Sequence, residues 1–371
     1  MERFIVTYQV FADTEAEALK RAEGIALEQT VEIPRDVVPQ GYIEDEIMGR
    51  VEEVAFESKG RFTTQISYSP DSASDELPQL INVIFGNSSI QKGIKVTGLE
   101  LGPEMLSRFP GAKFGINGVR KLTGNSTTGM ISPVIKPQGS SSQTLAEISY
   151  RCALAGAEII KDDHGLTNQH MSPFKERVET ICSAVAKANS ETGGNTLYFP
   201  NIAGHSQDLI EYAKFAKDAG AGGVLIMPGL FGFDLIHRLA RDENFNLPIM
   251  AHPTFLGPYV LSEDTGLTHA MMFATLQRLA GTDISIFPNV GGRFGFSAEE
   301  CTSIVNECRS EEAHGRPILP SPGGGMSPDR AADMKNMYGD DVVYLLGGSL
   351  LRYGDRIGEG VKDMRKALGD V

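Results

Sequence analysis

"EIIKDDHG", residues 158–165, is a short apolar run that ends in four consecutive ionisable residues, Lys161, Asp162, Asp163 and His164. A strand buried on both faces reads as an unbroken apolar run, and a parallel sheet covered by helices is where such strands occur. Seven further stretches share the form: "MISPVIKP" (130–137), "TLYFPNIAG" (196–204), "GGVLIMPG" (222–229), "LPIMAHP" (247–253), "DISIFPNVGG" (283–292), "RPILPSPGGG" (316–325) and "DVVYLLGGS" (341–349). Each finishes in polar, glycine or proline residues. Amphipathic segments such as "SQTLAEISYRCALAGA" (142–157) and "SQDLIEYAKFAKDAG" (206–220) lie between them. Eight strand–helix units over about 240 residues predict a (β/α)8 barrel. No GxGxxG opens a helix after the first run, which disfavours an open dinucleotide-binding sheet.

The chain before the barrel reads differently. "RFIVTYQV" (3–10) alternates like a strand, and "DTEAEALKRAEGIALEQ" (13–29) has helical spacing, with Asp13 or Thr14 placed to cap it. Strands are expected near 44–56 and 61–69, a helix near 77–84, and another strand in "GIKVTGLEL" (93–101). The polar joint "KLTGNSTTG" (121–129) follows. The expected division is an α+β, ferredoxin-like domain over 1–125 and the barrel over 126–371.

Composition narrows the partners. The formal charge of −14 opposes binding to a nucleic-acid backbone or an anionic membrane, so any anionic substrate must be held by local donors. No apolar run approaches the length of a membrane span, and "MERFIVTYQV" lacks the form of a signal peptide, so a cytoplasmic enzyme is expected. The four cysteines form no CxxC pair, and Cys301 and Cys308 are spaced as two turns of one helix face.

Barrel enzymes carry their chemistry at the C-terminal ends of the strands. Lys136, the 161–164 cluster, Asn201, His252, Asn289 and Arg293 all fall there. Alternation points Lys161 and Asp163 one way and Asp162 the other. Lys161 repels a metal cation while protonated. As a neutral amine it is a base, or it takes up CO2 and becomes an anionic oxygen ligand for a hard divalent metal. Gly323, Gly324, Gly325, Gly347 and Gly348 follow the last two strands, where barrel enzymes bind phosphate through backbone N–H groups. Alone, either glycine run is a tight turn, but together they predict a phosphate cradle.

The set "VIKP", "GAEIIKDDHG", "SPGGGM" and "GDDVVYLLGGS" resembles the large subunit of ribulose bisphosphate carboxylase across the whole barrel, and "ALEQT" and "FGNSS" resemble segments of its N-terminal domain. The resemblance implies a homodimer in which Glu28 and Asn87 complete the neighbour's site. It implies Mg2+ or another divalent metal on Lys161 (as carbamate), Asp163 and His164, and Lys136 as the acid/base group. His252 corresponds to a substrate-binding histidine, and Gly324, Gly325, Gly347 and Gly348 to the phosphate loops.

Departures from the pattern are equally informative. "IKPQ" lacks the family's second lysine, Pro253 replaces a phosphate-gripping arginine, and Ile286 replaces a histidine. Arg293 stands where a lysine polarises CO2, and Gly323 falls at a serine position, with Ser321 close by. His164 replaces a carboxylate, which suits softer metals, or else it serves as a proton shuttle. One phosphate site is intact and one degraded. The chain is therefore similar to the RuBisCO-like, non-carboxylating branch, acting by enolisation on a singly phosphorylated keto-sugar or sugar-acid. Changes around the metal favour decarboxylation or C–C hydrolysis of the 3-oxo-isoapionate 4-phosphate type. The alternative is a methionine-salvage isomerase or enolase, for which Lys95, or its neighbour Lys92, would supply the base. An inert regulatory barrel is a third reading, opposed by the retention of Lys136, Lys161 and Asp163.

Overall fold

The computed structural model describes residues 2–369. Four N-terminal strands, β1 (Phe4–Phe11), β2 (Arg50–Ser58), β3 (Arg61–Tyr68) and β4 (Ile94–Glu100), form an antiparallel sheet. Along β1 the alternation is strict: Phe4, Val6, Tyr8 and Val10 are buried and the residues between them are not. The helix Glu15–Glu28 covers that face, its first turn capped by the Thr14 hydroxyl, which accepts the Glu17 amide at 3.2 Å. The strand expected from residue 44 begins later. Residues Ile43–Ile47 form a helical turn, with the carbonyls of Glu46 and Met48 taken by the Arg3 guanidinium instead of a sheet partner.

The eight apolar runs are the eight parallel strands of a barrel: β5 (Met130–Ile135), β6 (Ile159–Asp162), β7 (Leu197–Phe199), β8 (Val224–Ile226) and β9 (Ile249–Ala251), then β11 (Ile284–Pro288), β12 (Leu319–Gly323) and β13 (Val343–Leu346). The bridge Asn201–Leu225 closes the circle between β7 and β8. Between β9 and β11 lies β10 (Gly266–Leu267), which leaves the barrel and adds a parallel edge to β4 of the N-terminal sheet. Cys301 and Cys308 are both buried on the helix Ala298–Arg309, and all four cysteines are free thiols. No helix among the described residues is long and apolar enough to cross a membrane.

Side-chain parity sorts the strands into two cores. Met130, Val134, Ile159, Phe199, Leu225, Met250, Ile284, Ile286, Leu319, Val343 and Leu345 fill the barrel interior. Their alternates, including Ile131, Ile160, Tyr198 and Tyr344, pack outward under the helices. The helix Gly115–Thr123 plugs the floor with Val119, and its start is fixed by the buried Asp283 carboxylate, which accepts the Phe114 and Gly115 amides at 2.8 Å each. The same parity turns Lys161 inward and Asp162 outward at the end of β6, and carried one step beyond the strands it turns Lys136, Asp163 and His252 inward at the mouth.

Candidate active site

Lys161 is the deepest member. It is 1% exposed, pairs with Val134 of β5 in register, and among the described residues its Nζ has no hydrogen-bond or ion-pair partner. Burial lowers its pKa to about 8, against the opposing pull of Asp163 and Asp162. Such an amine is partly neutral near physiological pH and available as a nucleophile. Asp163 lies at the same mouth, with its Oδ1 3.1 Å from Lys136 Nζ and 3.6 Å from His164 Nδ1. Burial pushes its carboxyl up, but the His164 imidazole and the Lys136 and Lys161 amines outweigh burial and hold it well below the usual carboxylate range. Asp163 is therefore held as an anion by the basic groups beside it.

The neighbouring carboxylate does other work. Asp162 faces outward and is fully buried, paired with the fully buried Arg177 at 3.0 Å, and it accepts the Tyr198 hydroxyl at 2.8 Å and the Asn201 amide at 2.9 Å. Arg177 also donates to the carbonyls of Thr167 and Ser172. This cluster, with Asn201 donating to the His164 and Leu166 carbonyls, fixes the loop that carries Asp163 and His164. Arg177 had no signal in the sequence beyond helical spacing.

His164 is half-exposed, and its ring stacks on that of His252, with centroids 4.4 Å apart and planes 16° apart. Burial, then the adjacent Lys161, holds His252 well below the ordinary imidazole range, so it is neutral. The Thr254 hydroxyl lies 2.6 Å from its Nδ1 and fixes the ring. Ile286 belongs to the apolar interior, so no basic group replaces the missing strand-end histidine there.

The last three mouth loops are joined. Gly324 and Gly325 adopt left-handed backbone (φ 98° and 67°), and both are exposed. Ser349, which follows Gly347 and Gly348, donates its hydroxyl to the Met326 carbonyl and ties the β13 loop to the β12 loop. Asn289 at the end of β11 reaches the Gly324 carbonyl and is held by the Tyr338 hydroxyl at 2.6 Å. Gly347 faces Lys136, since a Cβ there would sit 3.9 Å from Lys136 Nζ. The glycine cradle and the lysine–carboxylate group thus share one mouth.

Other expected residues stand apart. Ser321 is wholly buried with its hydroxyl donated to the Val343 carbonyl at 2.9 Å, so it braces adjacent strands and is not presented to a ligand. Arg293 is exposed on the β11 loop, its guanidinium 5.5 Å from the Phe294 ring centroid. Lys95 lies on the N-terminal sheet and donates to the Ser262 carbonyl at 2.7 Å, with burial lowering its pKa. Glu28 and Asn87 meet each other at 2.9 Å, but no hydrogen bond or ion pair joins either to Lys136, Lys161, Asp163 or His164. Sequence reasoning missed Arg330, which bonds the carbonyls of both Gly325 and Val290.

The residues present fit a carbamate-assisted metal. No three His, Cys, Asp or Glu side chains among the described residues form a metal cluster. Asp163 and His164 alone fall short of a tight site, and the buried, unpartnered amine of Lys161 is the group that CO2 would convert into a third, anionic donor.

Residues 115–370 match the family described as ribulose bisphosphate carboxylase large chain, catalytic domain. The chain is 37% identical to ribulose bisphosphate carboxylase-like protein 1 of Rhodopseudomonas palustris, over 96% of this chain and 95% of that one. It is 36% identical to the 5-methylthioribulose-1-phosphate isomerase of Rhodospirillum rubrum, over 96% and 94%. A crystal structure of the Rubisco-like protein from Rhodopseudomonas palustris superposes with a TM-score of 0.86 at 34% identity, covering 100% of this chain and 98% of that one. Eight-stranded barrel, N-terminal sheet and sequence agree, and the chain belongs to the ribulose bisphosphate carboxylase large-chain family, in its RuBisCO-like branch.

Proposed function

We propose that the protein is an enzyme that moves a proton next to the carbonyl of a singly phosphorylated keto-sugar, an isomerisation of the 5-methylthioribulose 1-phosphate type. The observation that carries this reading is the grouping of Lys136, Lys161 and Asp163 at one mouth with a single glycine cradle. The name of the 36% identical relative supports isomerisation. Decarboxylation or C–C hydrolysis of a sugar-acid, favoured from the changed metal shell, gains no such support.

In this reading the backbone N–H groups around Gly324, Gly325, Gly347 and Gly348 hold the phosphate. Pro253 and Ile286, where a second phosphate would need cations, leave the substrate's other end uncharged. Lys161 as carbamate, Asp163 and His164 would hold a divalent cation such as Mg2+, whose charge would acidify the C–H beside the carbonyl. Lys136, in its neutral amine form, takes that proton and returns it to the neighbouring carbon; in the structure its Nζ lies 3.1 Å from Asp163 Oδ1. His252, neutral and fixed by Thr254, offers a hydrogen bond to a substrate hydroxyl without adding charge. Lys95, already bonded to Ser262, is the second candidate for the base and stands on the other domain.

The test is incubation with Mg2+, bicarbonate and a panel of phosphorylated keto-sugars in D2O, followed by NMR. Isomerisation incorporates one deuterium at the carbon next to the carbonyl without loss of carbon. Release of CO2 or of a two-carbon acid would instead assign the sugar-acid reaction.

A further inference from the structure

Arg330 lies outside the strand ends, yet it occupies the seam between two mouth loops. Its Nη1 donates to the Gly325 carbonyl of the β12 loop at 2.8 Å, and its Nη2 donates to the Val290 carbonyl of the β11 loop at 3.0 Å. The guanidinium is planar and rigid, so two carbonyls held by one fork are held relative to each other. Space for it is made by glycine on both sides. A Cβ at Gly291 would meet Arg330 Nη2 at 3.0 Å, and one at Gly325 would meet Nη1 at 2.7 Å. Both glycines have φ of 67°, a conformation that other residues adopt only with strain. The loops also touch directly, since a Cβ on Gly292 would lie 3.5 Å from the Gly324 carbonyl oxygen.

These contacts join two parts with different expected tasks. Gly324 and Gly325 belong to the phosphate cradle, and three residues beyond Val290 the other loop carries Arg293. At its far end that loop is rooted by Glu300, whose carboxylate accepts the Ser297 amide at 2.8 Å and lies 3.5 Å from His269 Nδ1. The loop is thus anchored at both roots, and at the first root the anchor is the cradle itself.

We propose that Arg330 is a positioning residue that couples anion binding in the glycine cradle to the placement of the Arg293 loop. The inference rests on the phosphate-cradle reading above. An anion on the Gly324 and Gly325 amides orders the β12 loop, and the fork transmits that order to Val290 and onward. Lysine cannot reproduce two parallel donors in one plane, so charge alone does not substitute.

Hydrogen exchange on the full chain, with and without saturating inorganic phosphate, reads the coupling directly. In the wild type, phosphate should slow exchange across both 323–326 and 290–297. Arg330→Gln and Gly291→Ala should keep the protection at 323–326 and lose it at 290–297, with Arg330→Lys behaving like Arg330→Gln. Equal protection of 290–297 in these variants would overturn the proposal, as would wild-type protection confined to 323–326, which leaves the cradle reading intact. No phosphate effect at 323–326 would remove the cradle and the coupling together. Arg330→Lys keeps the charge and most of the side chain, so it guards against loss of fold, and a folded Arg330→Lys that still protects 290–297 overturns the proposal.

Discussion

Two adjacent aspartates in one tetrapeptide have opposite roles because strand parity sends them to opposite faces. Asp163 faces the mouth beside Lys136 and Lys161, and Asp162 is sealed under the helices with Arg177, Tyr198 and the Asn201 amide. Substitution should separate them cleanly. Lys161→Ala should fold normally and lose bicarbonate-dependent binding of Mn2+, measured by electron paramagnetic resonance. Retention of that binding would exclude a carbamate at this position. Asp162→Ala should cost about 3–5 kcal/mol of stability, because it leaves Arg177 as an uncompensated charge in the interior. Urea unfolding measures this, and a loss well under 1 kcal/mol would mean that water reaches the pair.

Among the elements, the floor helix Gly115–Thr123 depends on one carboxylate. Asp283 accepts the Phe114 and Gly115 amides, and its other oxygen accepts the Ile249 amide at 2.9 Å. Asparagine would turn an amino group toward one of these donors, so Asp283→Asn should destabilise the barrel by about 1–3 kcal/mol. Burial raises the Asp283 pKa from 3.8 to about 6, against the pull of the three N–H donors. The folded state therefore keeps this proton at a pH where the unfolded chain has lost it. The residue's contribution to stability is full below about pH 4 and declines as pH rises through about 6, by an amount on the order of 3 kcal/mol. The stability gap between wild type and Asp283→Asn, about 1–3 kcal/mol at pH 4, should accordingly close by pH 7. A gap that widens would show that the three donors outweigh desolvation.

The same scale explains what was legible beforehand. All eight barrel strands could be read because a strand covered on both faces must be apolar throughout, a signal contained in each run. The two-residue β10 carries no periodicity, and only its pairing with Lys95 and Val96 defines it. Ser321 is placed close to Gly323 by the motif, which does not give its depth. It sits two residues below Gly323 on the same face, which spends its hydroxyl on β13. Arg330 could not be found from spacing, since its partners are 5 and 40 residues away in the chain.

For the whole molecule, the question is which chain completes which site. Glu28 and Asn87 are positioned on each other at the end of the first helix and the turn Asn87–Ile90, and no hydrogen bond ties them to the mouth of their own barrel. Ile90 beside them is 85% exposed. We propose that this pair serves the barrel of a second copy across a two-fold axis. Mixing two inactive variants tests this. Glu28→Gln should fail in the N-terminal contribution and Lys161→Ala in the barrel, so each homodimer is inactive. In a mixed dimer one of the two sites combines an intact barrel with an intact Glu28, and random reassociation should restore about a quarter of wild-type activity. If Glu28 serves its own barrel, every site in the mixture carries a defect and no activity returns, while full activity of Glu28→Gln alone would remove the residue from the site altogether.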